Sequence, residues 1–230
     1  MVASESAVPV SWYSLIRAYL RPPVGDVNDQ AEASRWGYQR PRQLADSKEQ
    51  HQQFAEALLH AGVDVRMMNP ATSELVDSCY ACDPVLMGPD GLIILRLAKS
   101  LRAAESDLML ASAERHGLTV AGRILAPGTV EGGDCLWLDE NTLAVGETYR
   151  TNCSGISQLK HLMPSVQVLD MPMAHYRGPD ECLHLQSVVS FVNEAMAVVY
   201  LPLAPVRLIQ ALSERDVRIL PLPVQEFDSL

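Results

Sequence analysis

One pattern occurs three times along this chain: a strand, a short polar turn and a second strand. The three segments cover residues 82–102, 131–150 and 182–201. Asp83 and Glu131 are 48 residues apart, and so are Arg102 and Arg150, while His184 follows Glu131 by 53 residues. Periods near 50 residues are typical of repeat arrays and closed rings. A repeat that returns acids and a histidine to one position predicts a shared site around an axis.

Each hairpin is followed by a predicted helix and a further strand, which makes a ββαβ unit. The helices are predicted over residues 103–117, 151–164 and 204–216, and the strands over residues 118–125, 166–172 and 217–224. The N-terminal part gives a strand over 11–20, an amphipathic helix over 44–62 and a strand over 63–68, without the first strand of its hairpin. Residues 225–230 read as the entry to a further unit. A chance run of such patterns in an α+β domain is the alternative.

The composition of the chain limits which class of protein it can be and which kinds of partner it can bind. The 230 residues carry a net charge of −10, with 48% apolar and 20% charged residues, as in an ordinary globular domain. The acidic charge and the lack of a Lys/Arg cluster argue against nucleic acid and anionic membrane and suit a cationic small ligand. Pro202 and Pro205 break the longest apolar run, which is too short to span a membrane. Without a signal-peptide pattern, a cytoplasmic location is expected.

The five cysteines form an odd set, and in a reducing compartment disulfides are not expected. Cys79 and Cys82 have the C-x-x-C spacing of a zinc or redox site. No second pair of ligands accompanies them, so buried thiols that act as small apolar residues are the favoured interpretation.

The motif GTVEGGD, residues 128–134, places Glu131 and Asp134 inside a segment otherwise suited to a core. A tight turn before a strand would explain it in isolation, but Asp83 at the matching place in the preceding unit favours a site. The carboxylates of Asp83 and Glu131 match the paired N–H donors of a guanidinium. Arg102 and Arg150 would then hold a carboxylate at the other end of an arginine-like ligand, although each taken singly is more often an ion-pair residue.

His184 lies at the matching position of the third repeated hairpin segment, residues 182–201. A lone strand histidine is more often structural than catalytic. At this position His184 becomes a candidate acid or base, since histidine titrates near neutral pH.

At these residues the sequence resembles the guanidino-group-modifying, or amidinotransferase-fold, superfamily, and most nearly its dimethylarginine dimethylaminohydrolase-like branch. The segments that carry the resemblance span almost the whole chain: YSLIRAYLRPP, CDPVLM, LRLAKSLRAAE, GTVEGGD, YRTN-x-x-GI and CLHLQS. The resemblance implies an α/β fold, a five-bladed α/β propeller of ββαβ units. Residues 1–230 would form a single domain of this kind that is incomplete at its C-terminus, without the last blade and the closing strand.

The resemblance also implies roles for single residues. Asp83 matches an aspartate that binds guanidine nitrogens, and Glu131 matches a glutamate that binds the guanidinium and supports the histidine. His184 matches the catalytic histidine, while Arg102 and Arg150 match arginines that orient the substrate carboxylate. The implied reaction uses a cysteine that attacks the guanidine carbon, and it needs no metal or organic cofactor.

Two departures from the family pattern shape the expectation. Cys82 stands where a polar or charged residue is usual, which bears on the substrate. The nucleophilic cysteine of the family matches none of the five cysteines here, so the chain alone is expected to be inactive and, as an open ring, to self-associate. The predicted function is a hydrolase acting on the guanidino carbon of arginine or a methylated arginine. The alternatives are a non-catalytic remnant that binds a ligand or partner, and an amidinotransferase.

Overall fold

Four small β-sheets follow one another along the chain, each accompanied by the helices of its own unit. The structure, a computed structural model, describes Val10, residues 13–179, Glu181 and residues 183–228. Cys182 and the first two residues of the strand predicted over 11–20 lie outside the described residues. No helix in the described ranges is both long enough and apolar enough to cross a membrane.

The described residues form eleven strands and six α-helices. The strands are Arg17–Leu20 (β1), Asp64–Met67 (β2), Val85–Gly88 (β3), Gly91–Ile94 (β4), Val120–Arg123 (β5), Cys135–Asp139 (β6), Thr142–Glu147 (β7), Gln167–Pro172 (β8), Val189–Asn193 (β9), Met196–Val199 (β10) and Arg218–Pro221 (β11). The helices are Gln30–Trp36 (α1), Leu44–His60 (α2), Glu105–Arg115 (α3), Cys153–Leu162 (α4), Val206–Ser213 (α5) and Val224–Phe227 (α6).

Three of the four sheets share one topology. In each, an antiparallel hairpin is joined by a third strand that runs parallel to the hairpin's second strand: β3-β4-β5, β6-β7-β8 and β9-β10-β11. The helices α3, α4 and α5 make the crossovers that a parallel pair requires. The remaining sheet pairs β1 with β2 in parallel. The predicted ββαβ repeat is confirmed for three units, and the five-bladed ring stays a prediction.

Several element boundaries follow from local chemistry. Asn152 caps α4, because its side chain accepts a hydrogen bond from the backbone of Gly155 at 2.8 Å. Pro205 precedes the first turn of α5. Gly117 follows the end of α3 with a φ of +65°, a conformation that glycine adopts at little cost.

Three predicted strands, those over 11–20, 118–125 and 217–224, are shorter than expected, and the helices α1 and α6 were not predicted. β1 begins only at Arg17 because its partner strand begins at Asp64, the residue opposite. β11 ends at Pro221, opposite the last residue of β10, and the short helix α6 follows. The helix α1 was not predicted, because its seven residues are too few for a clear helical period.

The core explains why neighbouring units stay together. Along β7, Leu143 and Val145 belong to one buried cluster, which reaches the second unit through Ile93. Ala144, between them, belongs to a second cluster, which reaches the fourth unit through Ala197. Alternate side chains of a strand point to opposite faces of the sheet. The central sheet is therefore buried on both faces and fixes the units around the candidate site.

Candidate active site

The structure places the three predicted acid and histidine positions at equivalent points of three units. Asp83 precedes β3, Glu131 precedes β6 and His184 precedes β9, each at the entry to a hairpin. Glu131 and His184 are each followed directly by a short 3-10 turn, Gly132–Asp134 and Leu185–Ser187. The repeat seen in the sequence is therefore a repeat of local structure.

The entry points of these three hairpins lie next to one another. The backbone N–H of Gly132 donates to the carbonyl of Asp83 at 3.0 Å, which joins the second and third units. The Oε2 atom of Glu131 lies 3.5 Å from Nε2 of His184, which joins the third and fourth. Asp83, Glu131 and His184 thus lie side by side across three consecutive units.

The two glycines of GTVEGGD allow this close approach. A Cβ atom on Gly132 would lie 2.1 Å from the carbonyl oxygen of Cys82, which is rigid backbone. A Cβ atom on Gly133 would lie 2.8 Å from Cδ2 of His184. Because both separations are far below van der Waals contact, the glycines are required by the packing of neighbouring units.

Glu131 has no exposed surface, so its charge needs partners inside the protein. Nη1 of Arg150 lies 3.2 Å and 3.3 Å from its two carboxylate oxygens. The backbone N–H of Ala98 donates to Oε1 at 3.2 Å, and the backbone N–H of Glu131 itself donates to the hydroxyl of Thr151. Two segments of the chain, at Ala98 and at Arg150, therefore hold the carboxylate in place, and Thr151 fixes the backbone of Glu131.

Asp83 has an equivalent arginine partner. Nη1 of Arg102 donates to Oδ2 of Asp83 at 2.6 Å, and its Nε and Nη2 atoms donate to the two oxygens of Glu105 at 2.9 Å and 2.8 Å. Arg102 is only 4% exposed. Burial alone would lower the pKa of Arg102, but the carboxylates of Glu105 and Asp83 outweigh it and raise the pKa. Burial raises the pKa of Glu105, and Arg102 partly offsets this.

A second ion pair lies next to Arg102, whose Nη2 atom donates to the carbonyl of Asp77 at 3.5 Å. Nζ of Lys99 donates to Oδ2 of Asp77 at 2.8 Å and to the carbonyl of Trp36. The hydroxyl of Tyr38 donates to Oδ1 of Asp77 at 2.8 Å. Burial and the charge of Asp77 raise the pKa of Tyr38. The sequence reasoning missed this cluster: Lys99 lies in the first repeated segment, but nothing in the sequence pairs it with Asp77 or Tyr38.

His184 faces carboxylates on both sides of its ring. Nδ1 lies 3.1 Å from Oδ1 of Asp134, and Nε2 faces Glu131. The backbone N–H of His184 donates to the hydroxyl of Ser187, which fixes the turn that follows. Asp134 is a site residue that the sequence analysis noted only as part of a motif.

Two cavities open beside Arg150. One, of about 200 Å³, is lined among others by Tyr149, His175 and Leu183, and Tyr149 hydrogen-bonds to Nδ1 of His175 at 2.6 Å. The other, of about 420 Å³, is lined among others by Arg150, Ala98 and Lys99. Arg150 lies on the wall of both. A ligand in either cavity therefore has a guanidinium within reach.

The cysteines near the site have the chemistry of unactivated thiols. Desolvation and the neighbouring charge of Asp83 raise the pKa of Cys82 to about 11, although Cys82 is exposed on the surface. Burial raises the pKa of Cys79 and of Cys135. Within the described ranges, no group of three or more His, Cys, Asp and Glu side chains is arranged to hold a metal ion.

The structure therefore brings all five predicted site residues into one region. Arg102 and Arg150, which the sequence analysis assigned to a substrate carboxylate, each pair with one of the acids assigned to the guanidinium. Their role toward a substrate stays a prediction. To reach a ligand, Arg102 has to give up part of a buried ion-pair cluster, whereas Arg150 already lines two cavities.

Comparison with known proteins places this geometry in a family. The arginine deiminase family model matches residues 75–216. The N(G),N(G)-dimethylarginine dimethylaminohydrolase of Pseudomonas aeruginosa is 33% identical over 115 residues, which cover 50% of this chain and 44% of that protein. An uncharacterized protein of Aeropyrum pernix is 26% identical over 168 residues, covering 72% of this chain and 57% of its own length. The chain thus spans about half the length of these curated relatives.

Solved structures show the same fold. A mutant of the Pseudomonas aeruginosa enzyme complexed with citrulline has a TM-score of 0.72 at 22% identity, covering 93% of this chain and 78% of that one. The N-terminal domain of ArgZ, a cyanobacterial arginine dihydrolase bound to product, has a TM-score of 0.75 at 16% identity, with coverage of 93% and 77%. SxtG, an amidinotransferase from Microseira wollei, has a TM-score of 0.68 at 15% identity, with coverage of 95% and 76%. The fold is thus that of the dimethylarginine dimethylaminohydrolase-like proteins, α/β with several sheets, and the chain belongs to the arginine deiminase family.

Proposed function

We propose that this chain carries the guanidino-binding site of a hydrolase that acts on the guanidino carbon of arginine or a methylated arginine. The observation that carries the proposal is the meeting of Asp83, Glu131 and His184 at the entries to three consecutive hairpins. The related dimethylarginine dimethylaminohydrolase and arginine dihydrolase support the substrate class.

The carboxylates are suited to a planar cation. Asp83 and Glu131 already accept hydrogen bonds from the guanidinium groups of Arg102 and Arg150. An ionised carboxylate offers about four acceptor positions. Asp83 accepts from Arg102 and from the Cys82 thiol and can bind a further N–H donor, whereas the buried Glu131 would exchange its contacts with Arg150 for a donor of the ligand. The substrate's guanidinium would lie between the two acids, and the arginines, Arg150 foremost, would attract the carboxylate at its other end.

The proposed reaction begins with attack of a cysteine thiolate on the guanidino carbon. The C–N bond to the leaving amine breaks, and His184 gives that nitrogen a proton. Water, deprotonated by His184, then attacks the thiouronium carbon and releases the thiolate, which leaves a ureide product. Glu131 neutralises the guanidinium and the histidine throughout. An acceptor amine in place of water would make the same residues an amidinotransferase.

The nucleophile is proposed to be none of the four described cysteines. With a pKa of about 11, Cys82 is almost entirely a neutral thiol at pH 7, and only the thiolate is nucleophilic. Cys135 is buried, and Cys153 lies on α4. Since none of the five cysteines matches the family's nucleophile in sequence, the 230-residue chain alone is expected to bind guanidino compounds without turning them over.

The test measures ureide and amine release from arginine and dimethylarginine. It compares the 230-residue chain with a longer polypeptide that adds a cysteine-bearing C-terminal segment. The longer protein should form the ureide, and His184→Gln in that protein should abolish it. Turnover by the 230-residue chain would contradict the assignment of the nucleophile. No turnover by the longer protein, with guanidino binding intact, would instead establish the rival function of a non-catalytic ligand-binding protein.

A further inference from the structure

Asp134 is a buried carboxylate that the proposed reaction does not use. It has no exposed surface. Its Oδ2 atom accepts hydrogen bonds from the hydroxyls of Thr148 at 2.8 Å and Thr151 at 2.7 Å. Its Oδ1 atom accepts one from the backbone N–H of Leu185 at 3.1 Å and lies 3.1 Å from Nδ1 of His184. Two hydroxyls and one backbone N–H therefore fix the position of this carboxylate.

These contacts connect two parts of the site. Thr148 and Thr151 flank Arg150, and the hydroxyl of Thr148 accepts a hydrogen bond from the backbone N–H of Arg150 at 3.0 Å. Leu185 begins the turn that carries His184. Asp134 thereby fixes the Arg150 loop and the His184 turn relative to one another.

The groups that face the His184 ring set its charge. Asp134 faces Nδ1 and Glu131 faces Nε2. Arg150 lies behind Glu131 and opposes a positive ring. The backbone N–H of Ser187 also points to the His184 side chain. This hydrogen-bond donor favours the neutral ring, because a neutral imidazole has a nitrogen that can accept the hydrogen bond. Among the described residues, the two carboxylates that contact the ring are the nearest charges, and they favour the charged imidazolium.

From this arrangement we infer that Asp134 is a positioning residue. It fixes His184 against Glu131 and, through its buried charge, keeps the ring protonated for transfer of a proton to the leaving amine. The inference rests on the proposed function for the role of that proton. The position and charge of the ring follow from Asp134 whether or not the chain is a hydrolase.

The test is a histidine NMR titration of the 230-residue chain, in which the resonance lost in His184→Gln identifies His184. In the native chain, His184 should titrate above the ordinary histidine value of about 6.5. In Asp134→Asn its midpoint should fall by about 1 to 3 units, as expected for loss of an adjacent opposite charge. Thr151→Val is the matched control, since it removes the hydroxyl's hydrogen bonds to Asp134 and to the backbone N–H of Glu131 and leaves the Asp134 carboxylate beside the ring. Its midpoint should stay within a few tenths of a unit of the native value.

Three results would overturn the inference: a native midpoint at or below 6.5, an unchanged midpoint in Asp134→Asn, or an equal fall in Thr151→Val. The native measurement decides even where Asp134→Asn fails to fold. A raised, Asp134-dependent midpoint in a protein that turns over no guanidino compound would uphold this inference and reject the proposed function.

Discussion

Asp83 and Arg102 form a 2.6 Å ion pair that is almost completely enclosed by protein. The same relationship recurs one unit later, where Glu131 and Arg150 pair at 3.2 Å. In both units the arginine follows the acid by 19 residues. The repeat thus encodes an acid–arginine pair, formed where one hairpin begins and ends. The sequence analysis had assigned the two members of each pair to opposite ends of a ligand.

Removal of Arg102 should destabilise the fold strongly. In Arg102→Met, Glu105 stays buried at 2% exposure without its bidentate partner. Breaking a buried pair in this way costs about 3–5 kcal/mol, which denaturant unfolding measures. Arg123→Ala breaks an exposed pair with Asp107 and should cost at most about 1 kcal/mol. Equal losses in the two variants would show that the Arg102 cluster adds nothing to stability.

Arg150 should select for the carboxylate end of the ligand. In Arg150→Ala, binding of arginine should weaken by about 1.5–3 kcal/mol, the contribution of a hydrogen bond to a charged group. Binding of the decarboxylated analogue should change much less, because it lacks the group that Arg150 contacts. Calorimetric titration of both ligands gives the difference, and Arg102→Ala is expected to show the same selectivity. Equal weakening of binding for the two ligands would show that the arginines do not contact the carboxylate of the ligand.

Gly132 should tolerate no side chain. Its Cβ would lie 2.1 Å from the backbone carbonyl of Cys82, so Gly132→Ala has to separate the second and third units. We expect a loss of about 1–3 kcal/mol in unfolding free energy together with loss of guanidino binding. The control is Gly122→Ala, where the Cβ would meet the end of the flexible side chain of Leu162. A variant of Gly132 that binds normally would show that the Asp83–Glu131 spacing is not critical.

The thiol of Cys82 should react slowly with alkylating reagents at neutral pH. Because its pKa is raised to about 11, the alkylation rate should rise about tenfold per pH unit from pH 7 to pH 10 without a plateau. Asp83→Asn removes the adjacent negative charge and should lower the pKa of Cys82. The rise of the alkylation rate with pH should then occur at lower pH. Mass spectrometry of the labelled peptide follows the rate. A plateau below pH 9 would mean that Cys82 is an activated thiol and a candidate nucleophile.

Much of the fold was predictable, because the ββαβ units repeat and alternate apolar residues mark their strands. The entries to the hairpins were predictable for the same reason, and Asp83, Glu131 and His184 were found there. The partners of these residues were harder to predict. Glu105 pairs with Arg102 inside a helical turn, and Asp134 reaches His184 50 residues away. These contacts depend on how neighbouring units pack against one another. The periodic pattern of the sequence gives no information about that packing.

Asp83 and Glu131 are proposed to bind a guanidinium together. The most direct measurement is equilibrium binding of arginine to the 230-residue chain, compared with the isosteric variants Asp83→Asn and Glu131→Gln. Arginine should bind saturably, and each variant should weaken its binding at least tenfold, while binding of the neutral ureide citrulline should weaken less. Arginine binding that both variants retain at native strength would contradict this proposal.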